Sequence, residues 1–201
     1  MPALLMSKYS TRDEYTDVAT GVLKNRLGIT AESALEEAEA TFASVRSYEL
    51  AENPLPGNFD LAHLQAMHRY LFQDVYEWAG QLRTIDIIKG GNRFANVTHI
   101  ESAARPIFKK LADEDFLAGQ DAGKFSDRAA HYLGEINALH PFREGNGRAQ
   151  REFISQLAYK NGYFLDWKNF TQADMVQASI ESFKGDCTKF AAYIRDNLRK
   201  L

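Results

Sequence analysis

Cysteine is nearly absent from this chain: Cys187 stands alone among 201 residues. A single thiol can close no internal disulfide and build no multi-cysteine metal site, so the composition suits a reducing compartment and Cys187 is expected to serve packing. Apolar runs of membrane length are missing too, since nothing approaches the ~18 residues of a spanning helix. Met1 to Met6 has neither the charged start nor the apolar length of a secretory leader. The expectation is a cytoplasmic protein with no membrane partner, although the abrupt stop at Arg199-Lys200-Leu201 leaves open delivery into another cell as part of a larger effector. Neither sign of charge dominates. Lys and Arg number 24 against 27 Asp and Glu, a net of -3, which disfavours a bare electrostatic grip on nucleic acid. No repeat or low-complexity tract interrupts the chain, and with 45% hydrophobic and 25% charged residues it reads as one globular domain over 1–201. Common phosphate-binding signatures are lacking as well. There is no G-x-x-x-x-G-K-[ST] and no strand-led G-x-G-x-x-G, which excludes the usual nucleotide folds.

What is present is concentrated in His140-Pro141-Phe142-Arg143-Glu144-Gly145-Asn146-Gly147-Arg148-Ala149-Gln150-Arg151. Upstream, Ser126-Asp127-Arg128 opens a segment with Ala129, Ala130, Leu133 and Ile136 on one helical face. Pro141 cannot continue that helix, so His140 is expected at its end with the ring toward a loop. Downstream, Phe153, Ile154, Leu157 and Ala158 keep helical spacing up to Asn161-Gly162, a left-handed stop. The predicted unit is a helix-loop-helix over 126–161. Gly145-Asn146-Gly147 then opens the second helix, and the glycines let successive N–H groups turn into one concavity at the positive end of the dipole. Arg148 and Arg151, three apart, project from the same side. Two cations there oppose the dipole by roughly 0.3–1 kcal/mol each, which makes sense when an anion such as a polyphosphate lies between them. Glu144 adds a hard oxygen of the kind that holds Mg²⁺ beside phosphates. His140, across the loop, is placed to take a proton from an attacking hydroxyl.

This stretch fits H-x-F-x-[D/E]-G-N-G-R-x-x-R at every defined position and so resembles the signature of the Fic domain family. Tyr76-Glu77-Trp78-Ala79-Gly80 also looks like a hallmark of that family, and Tyr15-Thr16-Asp17 with Gly21 to Ile29 resembles the lead-in of a bacterial toxin subgroup. The resemblance implies an all-α fold of about eight helices with one small β-hairpin. It also implies a protein adenylyltransferase, moving AMP from Mg²⁺-bound ATP to a Ser, Thr or Tyr hydroxyl of a target protein. In that reading His140 is the general base, Phe142 a core anchor and Glu144 the Mg²⁺ ligand. Gly145, Asn146 and Gly147 would cradle the phosphates, and Arg148 and Arg151 would clamp the β- and γ-phosphates. The region Ser182 to Asp186 would lie near the adenine or ribose.

The remaining pattern is read along the chain. Residues 1–29 form an irregular arm, and Thr30 can cap a helix whose Leu35, Ala38, Phe42 and Val45 make an apolar stripe expected to be core. From Asp60, Leu61, Leu64, Met67, Leu71, Val75 and Trp78 predict a central helix ended by Gly80. His63 and His68 lie five apart on it, the wrong spacing for a metal pair, and are expected as surface or satisfied core histidines. A hairpin is predicted over 82–97, with Arg83 to Ile87 outgoing, Gly90-Gly91-Asn92 turning and Arg93 to Val97 returning. By the resemblance this is the flap, and Lys89, Gly90, Gly91, Asn92, Arg93 and Phe94 would dock the target segment by adding it as a strand. Helices are further predicted over 100–117, with Ile107 and Leu111 buried, over 171–184, and after Asp186 through Phe190, Ile194 and Leu198.

One family element is missing. Many Fic proteins carry an (S/T)-x-x-x-E-(G/N) helix whose glutamate pairs with the second motif arginine and brakes the enzyme. Here Glu52-Asn53 has Tyr48 at the hydroxyl position, Glu144-Gly145 has His140, and Ser33-x-x-x-Glu37 runs into Ala38. The resemblance therefore implies a toxin restrained by a separate small antitoxin that supplies the glutamate, with type II topoisomerase subunits, of gyrase or topoisomerase IV, as targets. Two other readings stay open: transfer of UMP or a phosphoryl group from the same site, and a silent adaptor whose hairpin binds a peptide.

Overall fold

The computed structural model describes residues 13–89, 92–168 and 170–201. Its elements in order are α1 (Glu32–Glu52), α2 (Leu61–Phe72), the hairpin β1 (Ile88–Lys89) and β2 (Asn92–Arg93), α3 (Ile100–Asp113), α4 (Ala122–Leu139), α5 (Asn146–Lys160), β3 (Tyr163–Leu165), α6 (Gln172–Ser182), α7 (Thr188–Asn197) and β4 (Leu198–Lys200). The fold is mostly helical, as expected, with seven α-helices among the described residues instead of about eight. A second antiparallel pair, β3 with β4, joins Tyr163 to Lys200 and Leu165 to Leu198.

Two helices form the centre because their sequences leave little choice. On α4, Phe125, Ala129, Ala130, Tyr132, Leu133 and Ile136 are all buried, and on α5 so are Ala149, Phe153, Ile154 and Leu157. Leu64, Met67, Leu71 and Phe72 of α2 close the core from one side, with α7 against α4 on another. The starts are capped as physical chemistry prefers: Asp60 accepts from the His63 N–H, Asp121 accepts from that of Lys124, and Thr171 with Asp174 makes a reciprocal capping box. Capped by Asp121, α4 starts at Ala122, four positions before Ser126, where the sequence pattern opened it.

Several expectations need correction. On α1 the inward face is Leu35, Glu39, Ala43 and Leu50, whereas Phe42 is 37% and Val45 54% exposed. The helix is rolled so that Glu39 joins Leu35, Ala43 and Leu50 on the inward face, and Phe42 and Val45 of the expected stripe are left outside. Its first residue is Glu32 behind Ala31, so Thr30 provides no cap. Next, α2 stops at Phe72. Val75 and Trp78 are buried as the helical spacing suggested, but they sit in successive turns that fold back on α2, where the Gly80 N–H donates to His68 Nδ1 at 2.8 Å. In the hairpin, the pairing among the described residues is Ile88–Arg93 and Lys89–Asn92, with the Phe94 N–H on the Ile87 carbonyl, so Arg83 to Asp86 is not an outgoing strand. Finally, Leu198 lies in β4, not in the last helix. On α3, Leu111 is buried and Ile107 only partly so, with Pro106 inside the helix.

The arm over 13–29 is irregular, as its composition predicts, yet anchored. Tyr15 and Val22 are buried, Thr16 bridges to Leu23, and the Thr84 N–H donates to the Tyr15 hydroxyl.

Candidate active site

The loop between α4 and α5 is built by its own sequence. His140 ends α4 in the left-handed region, at φ 45° and ψ 60°, with its N–H on the Ile136 carbonyl. A non-glycine residue there costs on the order of 1–3 kcal/mol and needs surrounding bonds to hold it. Arg83 supplies them. Its guanidinium, in a residue only 2% exposed, donates to the His140 carbonyl at 2.8 Å, to the Ile85 carbonyl at 2.6 Å and to the Ala95 carbonyl, while its own N–H donates to the Pro141 carbonyl. One buried cation therefore ties both limbs of the hairpin root to the end of α4. The Ala95 N–H, on the Ala138 carbonyl at 3.2 Å, adds a further stitch.

Inside the loop, the Phe142 N–H donates to Asn146 Oδ1 at 2.9 Å, and Asn146 Nδ2 donates to the Phe142 carbonyl at 2.8 Å. The Asn146 side chain thus closes the loop, and its main-chain N–H is what it can offer an anion. Phe142 is fully buried, stacked on His68 with centroids 3.8 Å apart. His68 takes the Gly80 N–H at Nδ1, so its proton is on Nε2, which donates to the Glu144 carbonyl at 2.9 Å. Burial pushes its pKa down to about 4. Both α2 histidines are satisfied core residues, since His63 accepts from the Phe59 N–H and meets the Leu55 carbonyl. Arg143, buried, pairs with Asp13 of the arm at 2.5 Å. Burial alone would push that carboxyl up, but the Arg143 hydrogen bond and charge hold it below its ordinary value.

Gly145 begins α5 with φ 78°, and a Cβ there would stand 2.4 Å from the Phe72 ring. A Cβ on Gly147 would meet nothing within 4 Å, so that side of the turn is open to an approaching group. First-turn N–H groups of a helix have no carbonyl partners of their own. Arg148 is paired: its Nη2 donates to Glu39 Oε1, and the guanidinium lies 4.8 Å over the Phe72 ring. Arg151, half-buried, makes no hydrogen bond or ion pair among the described residues; burial and the nearby Arg148 push its pKa down. An uncompensated cation at a glycine-opened helix start is an anion-binding arrangement. Glu144, half-buried, accepts from the Gly145 N–H at 3.0 Å. No group of three or more His, Cys, Asp or Glu side chains is assembled among the described residues. A carboxylate beside an open glycine turn fits Mg²⁺, which takes one or two protein oxygens and completes its shell with phosphate and water.

The flap residues fall out unevenly. Phe94 stacks on the His140 ring at 3.8 Å and 16°, and meets Phe183 edge-on at 5.3 Å. That brings the region Ser182 to Asp186 beside the hairpin and the histidine. Arg93 is exposed and paired with Asp86 at 3.0 Å. Lys89 and Asn92 are fixed by their pairing register, and Gly90 and Gly91 lie outside the described residues. Sequence reasoning missed Arg83, Glu39 and the Arg143–Asp13 pair; of His68 it gave the satisfied core histidine without the Phe142 stack. Each acts through partners far along the chain, which no nearby residue announces.

Fold and loop together define a class: a helical domain with a histidine-led, glycine–arginine loop between its two central helices and a hairpin stitched to that loop. Residues 58–158 match the model of the Fic/DOC family, and the chain belongs to that family. It is 51% identical over 194 residues to "Protein adenylyltransferase VbhT" of Bartonella schoenbuchensis, covering 96% of this chain and 41% of that protein. Against "Probable protein adenylyltransferase Fic" of Escherichia coli it is 39% identical over 177 residues, 88% of each chain. Among solved structures, BepC of Bartonella tribocorum with bound AMPPNP superposes with a TM-score of 0.86 at 27% identity, covering 94% of this chain and 97% of that one. The chain spans less than half the length of VbhT and most of the Escherichia coli relative.

Proposed function

We propose that this chain is a protein adenylyltransferase that joins the α-phosphate of ATP to a hydroxyl of a target protein and releases pyrophosphate. The observation that carries the reading is Arg151, a half-buried cation without a partner among the described residues, beside the open glycine turn of α5. The names of the relatives agree with it. Arg148 and Arg151 grip the outer phosphates, and the α5 N–H groups with Gly145 and Gly147 receive the phosphate oxygens. Glu144 holds Mg²⁺, which when bound offsets phosphate charge. His140 takes the proton from the target hydroxyl as the O–P bond forms, and its backbone, fixed by Arg83, sets where that happens. The hairpin aligns the target segment, with Phe94 over the base.

The test is to incubate the chain in bacterial lysate with Mg²⁺ and α-labelled ATP, beside His140→Ala. Label in a protein band, absent with the variant, supports transfer; equal labelling by the variant refutes the base assignment.

The finer reading is a cytoplasmic toxin restrained by a separate antitoxin, acting on gyrase or topoisomerase IV. It is supported by the missing brake pattern and by Arg151 awaiting an anion. Purified gyrase and topoisomerase IV that stay unmodified by active enzyme would contradict the target. A chain that binds Mg²⁺-ATP, reacts poorly alone and responds to no partner would contradict the restraint. No helix among the described residues is long and apolar enough to cross a membrane.

A further inference from the structure

Arg148 is tied to a distant part of the fold. The carboxylate that receives its Nη2, Glu39, comes from α1, 109 positions earlier, and that residue is 6% exposed. The other oxygen, Oε2, accepts from the Tyr76 hydroxyl at 2.5 Å. Tyr76 is fully enclosed and stacked on Trp78, centroids 4.2 Å apart and planes 20° from parallel. Below the guanidinium lies Phe72, whose ring also walls the Gly145 turn. Glu39 has both oxygens occupied, and Arg148 cannot leave it without stranding a buried carboxylate. That distinguishes it from a detachable inhibitory contact. Burial and Glu39 push the Tyr76 phenol far up, so it remains a donor. A guanidinium has five N–H donors, and among the described residues the Nε and Nη1 of Arg148 have no hydrogen-bond partner.

We propose that Glu39 is a positioning residue: its carboxylate, anchored by the Tyr76 hydroxyl, fixes the Arg148 guanidinium in the direction from which its remaining donors grip the phosphates beyond the α-phosphate. A long side chain that would otherwise lose its rotamer freedom on binding is ordered beforehand, which is how preorganisation raises affinity. The inference rests on the phosphate-clamp role given to Arg148 above.

Calorimetry with the full chain and Mg²⁺ compares a non-hydrolysable ATP analogue with AMP, in wild type, Glu39→Gln, Tyr76→Phe and Arg148→Ala. Binding of AMP should be the same throughout. Binding of the ATP analogue should weaken roughly tenfold in Glu39→Gln and in Arg148→Ala, and no further in the double variant, because the two act as one unit. Tyr76→Phe keeps the ring stack and should weaken the analogue alone by a few fold, an answer that survives if the Gln variant fails to fold. Tighter binding of the analogue by Glu39→Gln would make Glu39 a brake and overturn the proposal. So would unchanged analogue binding, or a loss shared equally by AMP, which a merely structural role produces. A wild type that binds the analogue no better than AMP would overturn the clamp assignment itself, and this inference with it.

Discussion

Lowering the pH should weaken the fold through His68, by an amount its surroundings define. The ring is fully buried, accepts the Gly80 N–H at Nδ1 and donates from Nε2 to the Glu144 carbonyl. A second proton would have to displace the Gly80 bond and sit in a site that burial makes hostile to charge, so the folded pKa is about 4. In the unfolded chain it is ~6.5. The folded state therefore stays neutral while the unfolded state takes up a proton. The contribution is complete above pH ~6.5 and disappears as pH falls toward 4, at about 1.4 kcal/mol per unit and roughly 3 kcal/mol in all. The carboxyls of Asp13 and Asp74, held below their ordinary values, also cost stability in acid. A His68→Gln control separates the two. Denaturant unfolding between pH 7 and 4.5 should show the variant less stable at neutral pH and the gap to wild type narrowing steadily with acid. A gap that stays constant across that range would refute the neutral, Nε2-protonated assignment.

Phe142→Ala should cost about 3–5 kcal/mol in denaturant unfolding, because the ring is fully enclosed and stacked on His68; a loss under about 1 kcal/mol would mean the loop does not rest on it. Gly145→Ala forces a Cβ into the Phe72 ring at φ 78° and should lower stability by on the order of 1–3 kcal/mol while weakening binding of an ATP analogue, with unchanged binding counting against the turn as a phosphate site. Arg151→Ala removes a cation that burial and Arg148 disfavour, so the melting temperature should hold or rise while ATP-analogue affinity falls at least tenfold. A destabilised variant with intact affinity would give Arg151 a structural role instead.

What could be read from the residues alone was whatever depends on near neighbours. Pro141 after His140, the glycine opening at Gly145 and the stop at Asn161-Gly162 are signals within a few positions, and α4, α5 and their loop follow them closely. What could not be read depends on partners brought near only by folding. Nothing around Glu39 says that it turns inward to meet Arg148 and Tyr76, and the exposed Phe42 and Val45 look more like core than it does. Arg83 alternates with apolar residues as an exposed strand position would, yet it is buried because three main-chain carbonyls from separate segments converge on it. Val75 and Trp78 keep helical spacing and are buried, but they lie in turns that bring the Gly80 N–H onto His68. The motif's arginines were identifiable; that Arg148 would be matched by a carboxylate from α1 was not.

ATP carrying distinguishable labels on its α- and γ-phosphates tests adenylyl transfer directly. A modified protein in lysate treated with the chain and Mg²⁺ should hold the α label alone, with the γ label recovered in pyrophosphate and neither found on protein when His140→Ala is used. The γ label on protein without the α label would contradict the claim and make the same loop a phosphoryl-transfer site.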